Sequence, residues 1–115
     1  MRSTKVLEIT DDNYDELVLR SPVPVLLDFS AAWCPPCRAT DPHVAALADL
    51  YEGRVRVGCC DVDGNHAITE RFDVRAMPTF LALRDGKVVG QIVGAVPRAK
   101  LDDLVKKALV VQSGP

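Results

Sequence analysis

Two hydrophobic rhythms divide this chain. Short stretches are apolar at every position or every second one, as strands require. Longer stretches are apolar at every third or fourth position, as helices require. Lys5 to Ile9 is a short strand candidate. Thr10 can cap a following helix, with Asp11 and Asp12 in its first turn and Tyr14, Leu17 and Val18 at helical spacing. Ser21-Pro22-Val23-Pro24 breaks that helix. Val25-Leu26-Leu27-Asp28-Phe29 is a near-continuous apolar run, the pattern of a strand buried on both faces, with Asp28 its one exception.

A helix is expected from about Cys34 to Tyr51 on Val44, Leu47, Ala48 and Leu50. Pro42 should kink it and Gly53 end it. Arg54 to Asp61 reads as a strand with Val55, Val57 and Cys59 on one face and Cys60 on the other. Asn65 to Phe72 is a short helix. Phe80 to Leu83 and Lys87 to Val93 form a hairpin about Asp85-Gly86. Pro97 opens a last helix, with Leu101, Leu104, Val105, Ala108 and Leu109 on its apolar face, and Val-Gln-Ser-Gly-Pro frays at the end. The order β-α-β-α-β-α-β-β-α implies an α/β fold: a mixed sheet with parallel members, closed by an antiparallel hairpin and covered by helices on both faces.

The candidate chemistry sits in Trp33-Cys34-Pro35-Pro36-Cys37. If a helix starts at the first cysteine, both sulfurs lie at its N-terminus. There the unpaired N–H groups and the dipole favour a thiolate, the form that attacks disulfides. Pro35 and Pro36 suit a helix start, where their missing N–H groups would have had no partner. Two cysteines two residues apart can close a small ring, or can be half of a zinc site. The βαβ context favours redox chemistry.

The bulk properties narrow the function further. The 115 residues suffice for one domain, residues 1–115, and 48% hydrophobic residues give it a core without a disulfide scaffold. A net charge of −2 with no basic stripe argues against nucleic acid as a partner. No apolar stretch suits a signal peptide or a membrane span, so the chain reads as cytoplasmic.

Several pieces together resemble the thioredoxin family along nearly the whole chain. They are Asp28-Phe29, Ala32-Trp33-Cys34 through Cys37-Arg38, Pro42, Asp61-Val62-Asp63, Met77-Pro78-Thr79, Asp85-Gly86 and Val93-Gly94-Ala95. The resemblance implies the thioredoxin fold, a central mixed sheet of four to five strands flanked by four helices. It also implies a disulfide oxidoreductase acting on protein disulfides, re-reduced by a flavin-containing thioredoxin reductase that uses NADPH. The chain itself needs no cofactor or metal for this cycle, and a monomer is expected. Three positions depart from the family pattern: Pro35 replaces the usual Gly, Ser30 a frequent aromatic, and Cys59 the strand Lys that approaches the buried Asp.

On this template Cys34 is the nucleophile and Cys37 the resolving thiol. Asp28 lies beneath them, where burial raises a carboxyl pKa and suits a base for Cys37. Without the strand Lys, Asp28 is expected to be protonated more readily. The resemblance implies that Pro78 is cis, so that Met77 offers its backbone to an extended substrate. Trp33, Pro35, Pro78, Gly94 and Ala95 form a flat apolar docking patch around Cys34. Cys59 and Cys60 point to opposite faces and read as small buried hydrophobes, and His43 and His66 as helix-surface residues. The alternatives are a metal module on Cys34 and Cys37, a non-catalytic clamp, and the same chemistry run as an oxidant or isomerase.

Overall fold

The computed structural model describes residues 5–110. One sheet of five strands runs through the molecule in the order β1-β3-β2-β4-β5. These are β1 (Leu7–Glu8), β2 (Val25–Ser30), β3 (Arg56–Asp61), β4 (Thr79–Arg84) and β5 (Lys87–Val93). The first three are mutually parallel, and β4 and β5 are antiparallel additions. The helices are α1 (Pro35–Leu50), α2 (His66–Arg71) and α3 (Arg98–Val110). A π-helical turn, Asp15–Leu19, stands in for the first expected helix. The expected mixed sheet is therefore present with all five strands.

The apolar run in β2 does what its composition demands. All six of its residues are buried, with β3 on one side and β4 on the other. Strand alternation sends Leu26 into a cluster with Val44, Leu47, Ala48, Leu101 and Val105 of α1 and α3. Leu27 and Phe29 go the other way, into a cluster with Tyr14, Val18 and Ile68. Asp28 and Ser30 thus share the α1 face with Leu26. Asp85-Gly86 makes the expected hairpin turn. Both residues have positive φ, 53° and 76°, the pair of values that a two-residue turn between twisted strands needs and that Asp-Gly accepts.

The remaining differences are local. β1 pairs over only two residues rather than Lys5 to Ile9, opposite Gly58 and Cys59. The π turn has Tyr14 at its N-cap with no side-chain cap, so Thr10 does not cap it but pairs with Asn13 in the turn before it. Thr10 Oγ1 accepts from Asn13 N–H at 3.2 Å, and Asn13 Oδ1 accepts from Thr10 N–H at 2.7 Å. Arg20 N–H then bonds five residues back to Asp15, because Ser21-Pro22 leaves no room for a regular helix to continue. Asp11 does not serve that turn. Its carboxylate accepts from Ala67 and Ile68 N–H at 3.2 and 3.0 Å and so caps α2 from a distant segment. Helix α1 runs unbroken through Pro42. The tail expected to fray, 111–115, lies outside the described residues.

Candidate functional site

Helix α1 begins where the sulfur chemistry needs it to begin. Cys34 is its N-cap, in an extended conformation, and Pro35 and Pro36 fill the first two helical positions. Neither proline has an N–H, so the first donor facing back toward the cap is Cys37. That N–H points at Cys34 Sγ, 3.3 Å away. A thiolate at this position would accept the same bond and gain from the helix dipole. In this oxidised state Cys34 and Cys37 are joined by a disulfide with 5.3 Å between their Cα atoms. Both are buried, the first 3% exposed and the second 1%. The two sulfurs therefore lie at nearly the same depth in the closed ring.

Opposite this helix start lies the loop into β4. The Met77-Pro78 peptide is cis, as the resemblance implied. Met77 carbonyl oxygen is 3.7 Å from Cys34 Sγ, so the backbone expected to receive substrate lies beside the first sulfur. Gly94 N–H donates to Pro78 carbonyl at 2.8 Å and joins the two loops. Trp33 is 63% exposed, and its Nε1–H is held by Asp63 Oδ2 at 2.8 Å. Pro35 and Ala95 are exposed, Met77 and Gly94 half-buried. Of the residues expected in the docking patch, Pro78 is buried rather than on the surface, and Val93, next to Gly94 in sequence, is 54% exposed.

Asp28 is buried in the middle of β2. Its neighbour across the parallel ladder is Cys59, and across the antiparallel one Phe80. Directly paired residues of adjacent strands share a face, so Cys59 occupies the position beside Asp28 that the alignment of strands suggested. Cys59 is half-buried rather than fully buried. It lines a cavity of about 530 Å³ with Ser30, Arg38, Asp41, Pro42 and Asp61. Cys60 faces away from it, fully buried, and burial followed by the nearby Asp11 and Asp61 charges pushes its thiol up to about 12. Neither forms a disulfide. His66 is exposed, its Nε2 2.9 Å from the Asp63 carbonyl, and His43 is partly exposed. Among the described residues, no three or more His, Cys, Asp and Glu gather where they could hold a metal ion.

Two participants escaped the reading of residues alone. Asp63 and Arg38 were visible as motif letters, without a task. The unpaired indole N–H of an exposed Trp33 was the only signal pointing to the first.

A dithiol–disulfide ring at a helix N-terminus, faced by a cis-proline loop at one end of a mixed sheet, is the working part of a thiol–disulfide oxidoreductase. The thioredoxin family model matches residues 5–107. The chain is 38% identical over 104 residues to a thioredoxin of Haemophilus influenzae, covering 90% of this chain and 97% of that one. It is 43% identical over 94 residues to a thioredoxin of Chlorobaculum thiosulfatiphilum, covering 82% and 87%. It is also 36% identical over 105 residues to the chloroplastic M-type thioredoxin of Spinacia oleracea, covering 91% of this chain and 58% of that one. The chain belongs to the thioredoxin family, has its fold, and is a protein-disulfide reductase. Membership implies protein disulfides as substrates and a reductase as electron source. No helix among the described residues is long and apolar enough to cross a membrane.

Proposed function

We propose that Cys34 is the attacking sulfur, Cys37 the resolving thiol and Asp28 the proton acceptor. The observation that carries this is the Cys37 N–H aimed at Cys34 Sγ beside the Met77 carbonyl. Cys34 thiolate attacks one sulfur of a substrate disulfide, forms a mixed disulfide and expels the other sulfur as a thiolate, which takes up a proton. Asp28, having released its own proton, takes that of Cys37, which attacks Cys34 Sγ. The mixed disulfide breaks, the second substrate thiolate leaves, and the ring closes. Two electrons have passed from the dithiol to the substrate. Support for Asp28 is its burial on the face of β2 that α1, the helix carrying Cys37, covers. Trp33, Pro35, Met77, Gly94 and Ala95 receive the substrate chain, with Pro78 holding the Met77 backbone in position.

The same reading makes the chain a cytoplasmic monomer that carries electrons from a flavin-containing thioredoxin reductase to proteins. The test is reduction of insulin disulfides with dithiothreitol as donor. Turnover falls to background in Cys34→Ser and in Cys37→Ser, and Cys37→Ser traps substrate covalently on Cys34. Asp28→Asn slows release of the trapped substrate at neutral pH without preventing its capture. Substantial turnover in either serine variant would refute the dithiol cycle.

A further inference from the structure

Arg38 follows Cys37 directly, and although its side chain stays 45% exposed, its guanidinium is not left free in solvent. It turns back under the loop that leads into Cys34. Nη1 donates to the Ala32 carbonyl at 3.0 Å, Nη2 to Ser30 Oγ at 3.1 Å, and Nε to Asp41 Oδ2 at 2.9 Å. One rigid, planar group therefore ties three pieces together: the end of β2, the loop between β2 and α1, and the first turns of α1 itself. The Ala32 carbonyl belongs to the peptide that carries Trp33. On the other side of that peptide, Cys34 N–H is already committed to the Ala31 carbonyl at 3.2 Å. The approach to the nucleophile is thus held on its main chain by Arg38, and on the Trp33 ring by Asp63.

The identity of Ser30 matters here. It is 3% exposed, on the strand face that α1 covers, and its hydroxyl is the buried end of the fork. A bulky ring at that position would fill the space the guanidinium enters and would offer it no acceptor. Arginine can satisfy three acceptors in different directions from one plane, whereas a lysine ammonium on a flexible stem carries the charge without that geometry.

We propose that Arg38 is a positioning residue for the dithiol. Its guanidinium fixes the Ala32–Trp33 peptide, and so the line along which Cys34 Sγ meets a protein disulfide. The proposal rests on Cys34 being the attacking sulfur. Disulfide exchange needs the attacking sulfur in line with the bond that breaks, so an error in this peptide acts on rate more than on thiol chemistry as such.

The experiment compares Arg38→Lys, Arg38→Met and Ser30→Ala with the parent, well below their melting midpoints. Insulin reduction is measured as kcat and KM, and reaction of the reduced protein with iodoacetamide, located by mass spectrometry, is measured alongside. Both Arg38 variants should lose about tenfold in kcat/KM, since small misplacements of reacting groups cost on this scale. Their Cys34 should still react with the small reagent within about twofold of the parent, because that reagent can approach from many directions. Ser30→Ala should lose less, and adding it to Arg38→Met should change nothing further, since the hydroxyl acts through the guanidinium. Full activity in Arg38→Lys would overturn the proposal and leave charge alone as the role. Lowered melting temperature with unchanged kcat/KM would overturn it in favour of a purely structural tie. Preferential alkylation of Cys37 in the parent would instead overturn the assignment of the nucleophile, and with it the role given to Arg38.

Discussion

The chain holds two pairs of cysteines, and they have almost nothing in common but sulfur. Cys34 and Cys37 sit at the start of α1, one helical turn apart and joined to each other. Cys59 and Cys60 are adjacent in β3 and cannot meet, because the pleat sends one to each face of the sheet. The helix start offers an N–H to a sulfur anion. The strand commits its N–H groups to the sheet and surrounds Cys60 with Phe29, Ile68 and other apolar side chains. The lesson is that thiol reactivity is set by what the backbone leaves over. A helix N-terminus has spare donors; the middle of a sheet has none.

The largest expected difference between the pairs is in reactivity. With its thiol pushed up to about 12 by burial, Cys60 holds almost no thiolate at neutral pH. In the folded, reduced protein iodoacetamide should therefore modify Cys34 rapidly and leave Cys60 intact, while urea should make the two comparable. Rapid labelling of Cys60 in the folded state would erase the contrast.

A second way to sharpen it is alkaline stability. Cys60 is protonated in both folded and unfolded chains below about pH 9, so its contribution is fully present there. Between about 9 and about 12 the unfolded thiol ionises and the folded one does not. Stability should fall with rising pH in that window, by at most about 1.4 kcal/mol per pH unit from this group. Tyr14 and Tyr51, both raised chiefly by burial, add to the slope from the ordinary tyrosine range upward. Urea midpoints measured across the window should fall less steeply in Cys60→Ala, even though its stability at neutral pH is lower. An unchanged slope would show that Cys60 ionises as freely in the folded chain as in the unfolded one.

The smallest expected effect joins the two pairs. Cys59 stands beside Asp28 in the sheet register, and Asp28 is the base proposed for Cys37. An ammonium at that position would favour the charged carboxylate. Carboxyl-carbon NMR should therefore find a lower titration midpoint for Asp28 in Cys59→Lys than in the parent. No movement would mean that the register partner does not act on the carboxyl.

Much of this comparison was legible in the order of residues. The CxxC motif with prolines between its cysteines defines a helix start locally, because capping depends on residues within one turn. The opposite orientation of Cys59 and Cys60 follows from the two-residue period of any strand. The buried status of β2 follows from its run of apolar residues, and the hairpin from Asp85-Gly86. The family followed from those motifs taken together.

Other features depended on which segments the folded core brings side by side. Asp11 caps α2 rather than the turn beside it, because strand pairing brings residues 11 and 67 together across more than fifty positions. Asp63 receives the Trp33 indole across thirty, and Arg38 finds the Ala32 carbonyl and Ser30 hydroxyl only because α1 folds back over the end of β2. The depth of Pro78 belongs here too, since the loop carrying it is bonded to Gly94. Local pattern determines where elements begin and which way their side chains point. The donors and acceptors at the ends of long polar side chains are matched only after burial of the apolar faces has fixed register and packing, so their partners were decided by the tertiary structure alone.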